Sequence, residues 1–232
     1  KSKTKITITS KLVANLLATA GVHRVITVEL HAAQIQGFFD CLVDELTAIP
    51  LLAQYFKKKV NPNTVIVSPD HGGVVRTSRL AEKLNAPIAI IDKRRPRPNE
   101  AEIFAIVGDV KDKDCIIVDD IVDTAGTLCL AANKLKELGA RRVYAAISHG
   151  VLSHPAIERI KNSKIVEFIC TNTIDQSAKQ PLLDKMTVLS VAELFASAIK
   201  SIEDATPLSD VVKRFNSDSK IYDTVGASTV FL

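Results

Sequence analysis

Tryptophan is missing from this 232-residue chain, methionine occurs once, and aromatic residues make up only 5% of it. Sequence-tolerant binding of single-stranded nucleic acid relies on stacking bases against aromatic rings, so a chain this poor in rings is ill-suited to it. The formal net charge of +4 is also too small to argue for a polyanionic partner. No apolar run approaches the roughly 18 residues of a membrane span. The basic start Lys1-Ser2-Lys3-Thr4-Lys5 is not followed by the apolar core of a secretory signal. Cysteine is scarce and scattered. Cys41, Cys115, Cys129 and Cys170 form no Cys-x-x-Cys pair, and each sits beside apolar residues, as buried reduced thiols of a cytoplasmic protein would. Low-complexity tracts are absent. What is left is a soluble globular protein with no expected nucleic-acid or membrane partner, at an ordinary 47% hydrophobic and 24% charged residues. Its length suits one large or two small domains.

The patterning alternates between periods of 3.6 and 2. Residues 11–20 repeat apolar side chains at helical spacing and stop at Gly21. A strand is predicted at 25–30, a helix at 49–57, a strand at 63–68 and a helix at 74–84. Further strands are expected at 87–92, 115–119, 142–148, 165–170 and 186–190, with helices at 127–138, 155–161 and 191–202. Residues 102–107 lead through a turn into the strand at 115–119. Two prolines, Pro96 and Pro98, mark 93–99 as a loop. Strands separated by helices predict an α/β fold: a mostly parallel sheet with helices on both faces. The polar stretch 214–232 carries no chemistry of its own and is expected to pack against another lobe or a partner.

The most informative segment is Ile116-Ile117-Val118-Asp119-Asp120-Ile121-Val122-Asp123-Thr124-Ala125-Gly126-Thr127-Leu128. An apolar strand ends in two adjacent carboxylates, a short turn follows, and a helix begins near Leu128. Ligands of open α/β sheets bind beyond the carboxyl ends of the strands. The turn from Asp123 to Thr127 offers consecutive backbone N–H groups, two hydroxyls and a helix N-terminus, which suit a phosphate. Asp119 and Asp120 suit the cis-hydroxyls of a sugar, or a magnesium ion carried with it. A site that takes both a phosphate and a diol takes a sugar phosphate.

This segment resembles the phosphoribosyl-pyrophosphate loop of the type I phosphoribosyltransferase fold. A second segment, Leu30-His31-Ala32-Ala33-Gln34-Ile35-Gln36-Gly37-Phe38-Phe39-Asp40, narrows the resemblance to the ribose-phosphate pyrophosphokinases, which make phosphoribosyl pyrophosphate. In that family the histidine lies at the magnesium–ATP site, so the resemblance implies a metal contact at His31. Glu29 stands where the family usually has Asp, two residues before this histidine. In Val67-Ser68-Pro69-Asp70-His71-Gly72-Gly73 the glycines allow close backbone approach, and the resemblance implies a second magnesium contact at Asp70, with His71 a neighbour. Mg²⁺ is often held by only one or two carboxylates plus substrate phosphates. Asp92-Lys93-Arg94-Arg95-Pro96-Arg97-Pro98-Asn99 packs four cations into five positions. It resembles the family's flexible catalytic loop, above all that of bacterial members, which closes over ATP. Lys93 and Arg95 are thereby implied as catalytic, neutralising charge on the migrating and leaving phosphates, with Arg95 also touching the sugar phosphate. His23, His149 and His154 have no local constellation and read as structural or surface residues.

The resemblance runs from about residue 6 to about residue 203. It implies a type I phosphoribosyltransferase-like fold with one near-complete lobe and the remnant of a second. The expected divisions are 1–47 for the remnant, 48–203 for the lobe carrying the ribose 5-phosphate loop, and 204–232 for a tail. The implied reaction joins ATP and ribose 5-phosphate to give phosphoribosyl pyrophosphate and AMP. Asp119, Asp120, Asp123, Thr124, Ala125, Gly126 and Thr127 would hold the sugar phosphate. The implied cofactor is Mg²⁺ carried with ATP, the implied assembly a homo-oligomer, often a hexamer, and the setting cytoplasmic. The chain lacks an initiating methionine and departs from the family before Lys11, with Thr7 where proline is usual. It is therefore expected to be a piece of a longer protein or a shortened relative, with the strand at 25–30 in a partial sheet, binding ribose 5-phosphate yet catalysing poorly. Two alternatives are a phosphoribosyltransferase that consumes phosphoribosyl pyrophosphate and a non-catalytic regulatory subunit of the synthetase.

Overall fold

A short parallel strand pair needs a connection that brings the chain back to the same end, and the first part of the chain supplies one. In the computed structural model, which describes residues 9–94 and 103–217, the described residues form two compact units, one ending at Thr47 and the other beginning at Ala48. The first unit comprises α1 (Thr9–Thr19), β1 (Arg24–Val28), a 3₁₀ turn (Ala33–Phe38) and β2 (Leu42–Leu46). Gly21, at φ +86°, stops α1 as its sequence predicts. β1 and β2 pair in parallel from Arg24↔Leu42 to Val28↔Leu46. β2 is not foreseen by the sequence pattern, because acids occupy its middle. Both find partners: Asp44 accepts from Arg24 Nε at 2.6 Å, and Glu45 accepts from the Leu30 N–H at 2.9 Å.

The second unit runs α2 (Ile49–Lys57), β3 (Thr64–Ser68), α3 (Val74–Leu84), β4 (Ile88–Arg94), β5 (Ile103–Val107), β6 (Asp114–Val122), α4 (Gly126–Glu137), β7 (Arg142–Gly150), α5 (Ala156–Asn162), β8 (Glu167–Thr171), β9 (Met186–Leu189), α6 (Ala192–Glu203) and α7 (Leu208–Ser217). Its seven-stranded sheet has the order β5-β4-β3-β6-β7-β8-β9, parallel except for β5. Strands buried on both faces must be apolar along their length. Alternation then divides them: Ile66, Ile116, Val118 and Ala146 pack with α2 and α3, while Val67, Ile117, Ala145 and Ile147 pack with α4 and α5.

Three expectations are corrected. The segment read as a loop from residue 93 continues as strand through Lys93 and Arg94, because β5 pairs with both positions (Lys93↔Phe104, Arg94↔Ile103) before the prolines. β6 extends to Val122, so Asp119 and Asp120 lie within its last turns of pleat and not at its final residue. Residues 208–217, read as part of a tail, form α7, whose Val211 and Phe215 are buried; the Phe215 carbonyl accepts from Gln54 of α2. Cys115, Cys129 and Cys170 are buried free thiols and Cys41 is half-buried. Burial pushes the Cys115 and Cys170 thiols up to about 12, which suppresses the reactive thiolate. Among the described residues no helix is long and apolar enough to cross a membrane.

Ion pairs close the amino end of the sheet. Asp114, first residue of β6, is 3% exposed and receives Arg141 Nε at 2.9 Å and Asn61 Nδ2 at 2.8 Å, with Arg142 beside it. The Arg141 guanidinium holds its carboxyl below the usual range against the cost of burial. Glu167, at the start of β8, binds Tyr55, Lys59 and Thr187, and the Lys59 ammonium also stands 4.4 Å from the centre of the Tyr55 ring.

Candidate functional site

Strand order reverses between β3 and β6: β4 follows β3 on one side, and β7, β8 and β9 follow β6 on the other. A crevice opens outside the carboxyl ends at such a switch point, and ligands of open α/β sheets bind there. The chain places its acids at that point. Asp119 and Asp120 are adjacent in β6, and a single residue meets both carboxylates. Arg76, in the first turn of α3, sets Nη1 3.5 Å from Asp119 Oδ1 and Nη2 3.3 Å from Asp120 Oδ2. The following backbone amides fix the other contacts: the Asp120 N–H donates to Asp119 Oδ1 and the Ile121 N–H to Asp120 Oδ1, each at 2.9 Å. The Asp120 side chain is 5% exposed and that of Asp119 27%. Burial, with a hydrogen bond and like charge from Asp120, pushes the Asp119 carboxyl up to about 7, against the pull of Arg76. The Asp119 carboxyl therefore titrates near neutrality.

The turn after β6 is built for an anion. Ala125 adopts φ +58° and no side chain caps α4 at that position. Helical bonding begins with the Cys129 N–H on the Ala125 carbonyl, so the amides of the first turn point out ahead of the helix. Gly126 and Thr127 belong to that first turn, one residue earlier than the sequence predicts. Arg159 of α5 braces the turn from behind, donating from Nη1 to the Thr124 carbonyl at 2.9 Å. A groove of about 610 Å³ runs along this outer flank, lined by Gly126, Cys129, Leu130, Glu158 and Arg159. It does not include the acids, and the crevice at the switch point, where the chemistry converges, is the candidate site.

The turn after β3 folds around one carboxylate. The Gly73 N–H donates to Asp70 Oδ1 at 3.0 Å, and the Ser68 hydroxyl donates to the Asp70 carbonyl at 2.7 Å. A Cβ on Gly72 would stand 3.2 Å from Asp70 Oδ1, and one on Gly73 2.8 Å from Ser68 Oγ, so the glycines make room for this wrap. Asp70 is exposed. His71 Nε2 lies 3.1 Å from Oδ1 of Asp92, which is 8% exposed within β4, and this contact ties the turn to the strand bearing Lys93. The side chain of Lys93 and the whole of Arg95 lie outside the described residues. Among the described residues no group of three or more His, Cys, Asp or Glu gathers into a metal cage. Asp70 is a single exposed carboxylate, and Mg²⁺ is often held by only one or two carboxylates.

His31 belongs to the first unit, where it is exposed in the turn after β1. Glu29 adopts φ +48°, and its carboxylate accepts from the Thr47 hydroxyl. His149, read as structural, bonds Thr173 Oγ1 through Nδ1 at 2.8 Å.

Sequence reasoning missed Arg76, Arg159 and Asp92. The first had a signal. Arg76 falls at i, i+4 and i+8 with Leu80 and Leu84, on the core-facing stripe of α3 beside Thr77 and Ala81, all four buried. An arginine on that stripe needs a buried anionic partner.

A family model described as the phosphoribosyl synthetase-associated domain matches residues 95–213. The ribose-phosphate pyrophosphokinase of Halalkalibacterium halodurans is 58% identical over 209 residues, covering 90% of this chain and 66% of that protein. The enzyme of the same name from Bacillus caldolyticus is 56% identical with the same coverage. The crystal structure of phosphoribosylpyrophosphate synthetase from Mycobacterium smegmatis superposes with a TM-score of 0.78 at 40% identity, over 88% of this chain and 67% of the other. The chain thus spans just under two thirds of the length of the curated relatives it matches.

Proposed function

The chain belongs to the phosphoribosyl synthetase family, and from that premise we propose that the protein transfers the β,γ-diphosphoryl group of ATP to the 1-hydroxyl of ribose 5-phosphate, giving phosphoribosyl pyrophosphate and AMP. The observation that carries the proposal is the pairing, at one strand end, of two carboxylates with an uncapped helix turn. The amides of Gly126 and Thr127, with the side chains of Asp123, Thr124 and Thr127, take the 5-phosphate, and Ala125 supplies the bend that aims them. Asp119 and Asp120 accept from the ribose hydroxyls and orient the ring, so that the 1-hydroxyl faces the β-phosphorus of ATP. Fixing two reactants in line is most of what a diphosphoryl transfer requires of a protein.

Asp70 and His31 are each proposed, by the resemblance, as contacts for magnesium carried with ATP. When bound, the ion neutralises phosphate charge. Lys93 and Arg95 would meet the negative charge that builds on the migrating and leaving groups. The wider assignment follows the same reading: lobes dividing near residues 47 and 203, a homo-oligomer, and a cytoplasmic setting.

Calorimetric titration with ribose 5-phosphate tests the site. The chain binds it, and Asp123→Ala abolishes the binding. AMP release from ATP, magnesium and ribose 5-phosphate separates a synthetase from a phosphoribosyltransferase or a non-catalytic subunit. A folded chain that neither binds the sugar phosphate nor releases AMP refutes the proposal.

A further inference from the structure

Two neighbouring carboxylates at the mouth of a crevice repel each other, and without a counterion they share a proton and turn toward one another. Such a pair is a poor acceptor for a diol, because a shared proton occupies the lone pairs that the hydroxyls need. The structure supplies one fork for two acids. Arg76 Nη1 and Nη2 reach Asp119 Oδ1 and Asp120 Oδ2 at 3.5 and 3.3 Å, from a side chain that is 17% exposed. The planar guanidinium has its donors in fixed directions, which lysine lacks. α3 itself is anchored by the turn that wraps Asp70 and ends at Gly73, three residues before Arg76.

We infer that Arg76 is a positioning residue for the sugar: its fork bridges the carboxylates of Asp119 and Asp120 and orients them toward the ribose hydroxyls, without touching the ligand. This rests on the reading of Asp119–Thr127 as a ribose 5-phosphate site. The two halves of that site separate the claim from a general loss of structure. The phosphate half is the turn of α4, braced by Arg159. The diol half is the acid pair.

The test compares the affinities of the unaltered chain, Arg76→Gln and Arg76→Lys for two ligands, ribose 5-phosphate and inorganic phosphate, with folding checked by thermal melting. Losing the charge-assisted contacts should weaken ribose 5-phosphate by about 10- to 100-fold in Arg76→Gln and leave inorganic phosphate unchanged. Arg76→Lys keeps the charge but reaches one carboxylate at a time, so it recovers part of the affinity. Equal ribose 5-phosphate affinity in the unaltered chain and Arg76→Gln overturns the role, as does a parallel loss of both ligands in a folded variant. Should Arg76→Gln fail to fold, full affinity in Arg76→Lys overturns the fork by itself. Failure of the unaltered chain to bind ribose 5-phosphate overturns the underlying site, a result distinct from all of these.

Discussion

Gly73→Ala places a single methyl group in the turn that holds Asp70. Gly73 has φ −81° as the residue before α3, a conformation open to alanine, so no backbone strain enters. The new Cβ would stand 2.8 Å from Ser68 Oγ, where ordinary contact begins at 3.4 Å. Ser68 is fully buried, and its hydroxyl gives its hydrogen bond to the Asp70 carbonyl at 2.7 Å. It must rotate away, which breaks that bond and strands a buried hydroxyl, a loss of about 1–3 kcal/mol. Ser68→Ala forfeits the same bond without the clash, at about 1 kcal/mol. In the double variant the oxygen that collides is gone, so the substitutions should fall short of additivity by about 1 kcal/mol or more. Urea denaturation of the four proteins measures this. Magnesium–ATP binding should weaken in Gly73→Ala and recover in the double variant, since the same turn carries the Asp70 carboxylate. Additivity within about 0.5 kcal/mol would refute the reasoning.

Other outcomes follow from the same geometry. Gly108, at φ +118°, has the Ala89 Cα at 2.9 Å from where a Cβ would lie, so Gly108→Ala should destabilise by roughly 2–5 kcal/mol in denaturant titration. Asp119 binds a proton more tightly in the folded chain, up to about 7, than its ordinary 3.8. Its contribution to stability is therefore present at low pH and declines as pH rises from about 4 to 7. Asp119→Asn should remove that slope, so its stability relative to the parent rises across the window. Ribose 5-phosphate affinity should move the opposite way in the parent, strengthening as pH passes 7 and the acceptor ionises. Asp114 is held below the ordinary range, so its contribution persists above about 4 and disappears as acid lowers the pH further; Asp114→Asn should flatten the acid limb of the unfolding profile and lower the midpoint at neutral pH.

The alternation of strands and helices and the strand–turn–helix at 116–128 were legible because their signals are local and redundant. In 116–128 the apolar run, the acids and the turn residues all point to a strand feeding a helix. The helix 74–84 was read with its bounds intact because the apolar period, the glycines before it and Asn85 after it agree. β2 was hidden because its acids look like loop residues until Arg24 is seen opposite them. α7 was hidden because its four apolar residues, Leu208, Val211, Val212 and Phe215, are interleaved with polar ones next to a polar stretch. The continuation of β4 into Lys93 depends on a partner strand ten residues later, which no local window holds. Arg76 was the recoverable miss: its helix was predicted over 74–84, and an arginine on the stripe of Leu80 and Leu84 calls for an anionic partner.

Parallel strands give the sheet two ends with different occupations. At the amino end, Asp114 with Arg141 and Asn61, and Glu167 with Tyr55, Lys59 and Thr187, bind the strands with opposite charges and satisfied donors. At the carboxyl end, two like charges stand side by side under one guanidinium. The two sets share no residue. Substitutions that improve one end leave the other chemically untouched, so a lineage can tune its heat tolerance and its substrate affinity as nearly independent traits. A protein engineer could likewise harden this sheet from below without dulling the crevice above it.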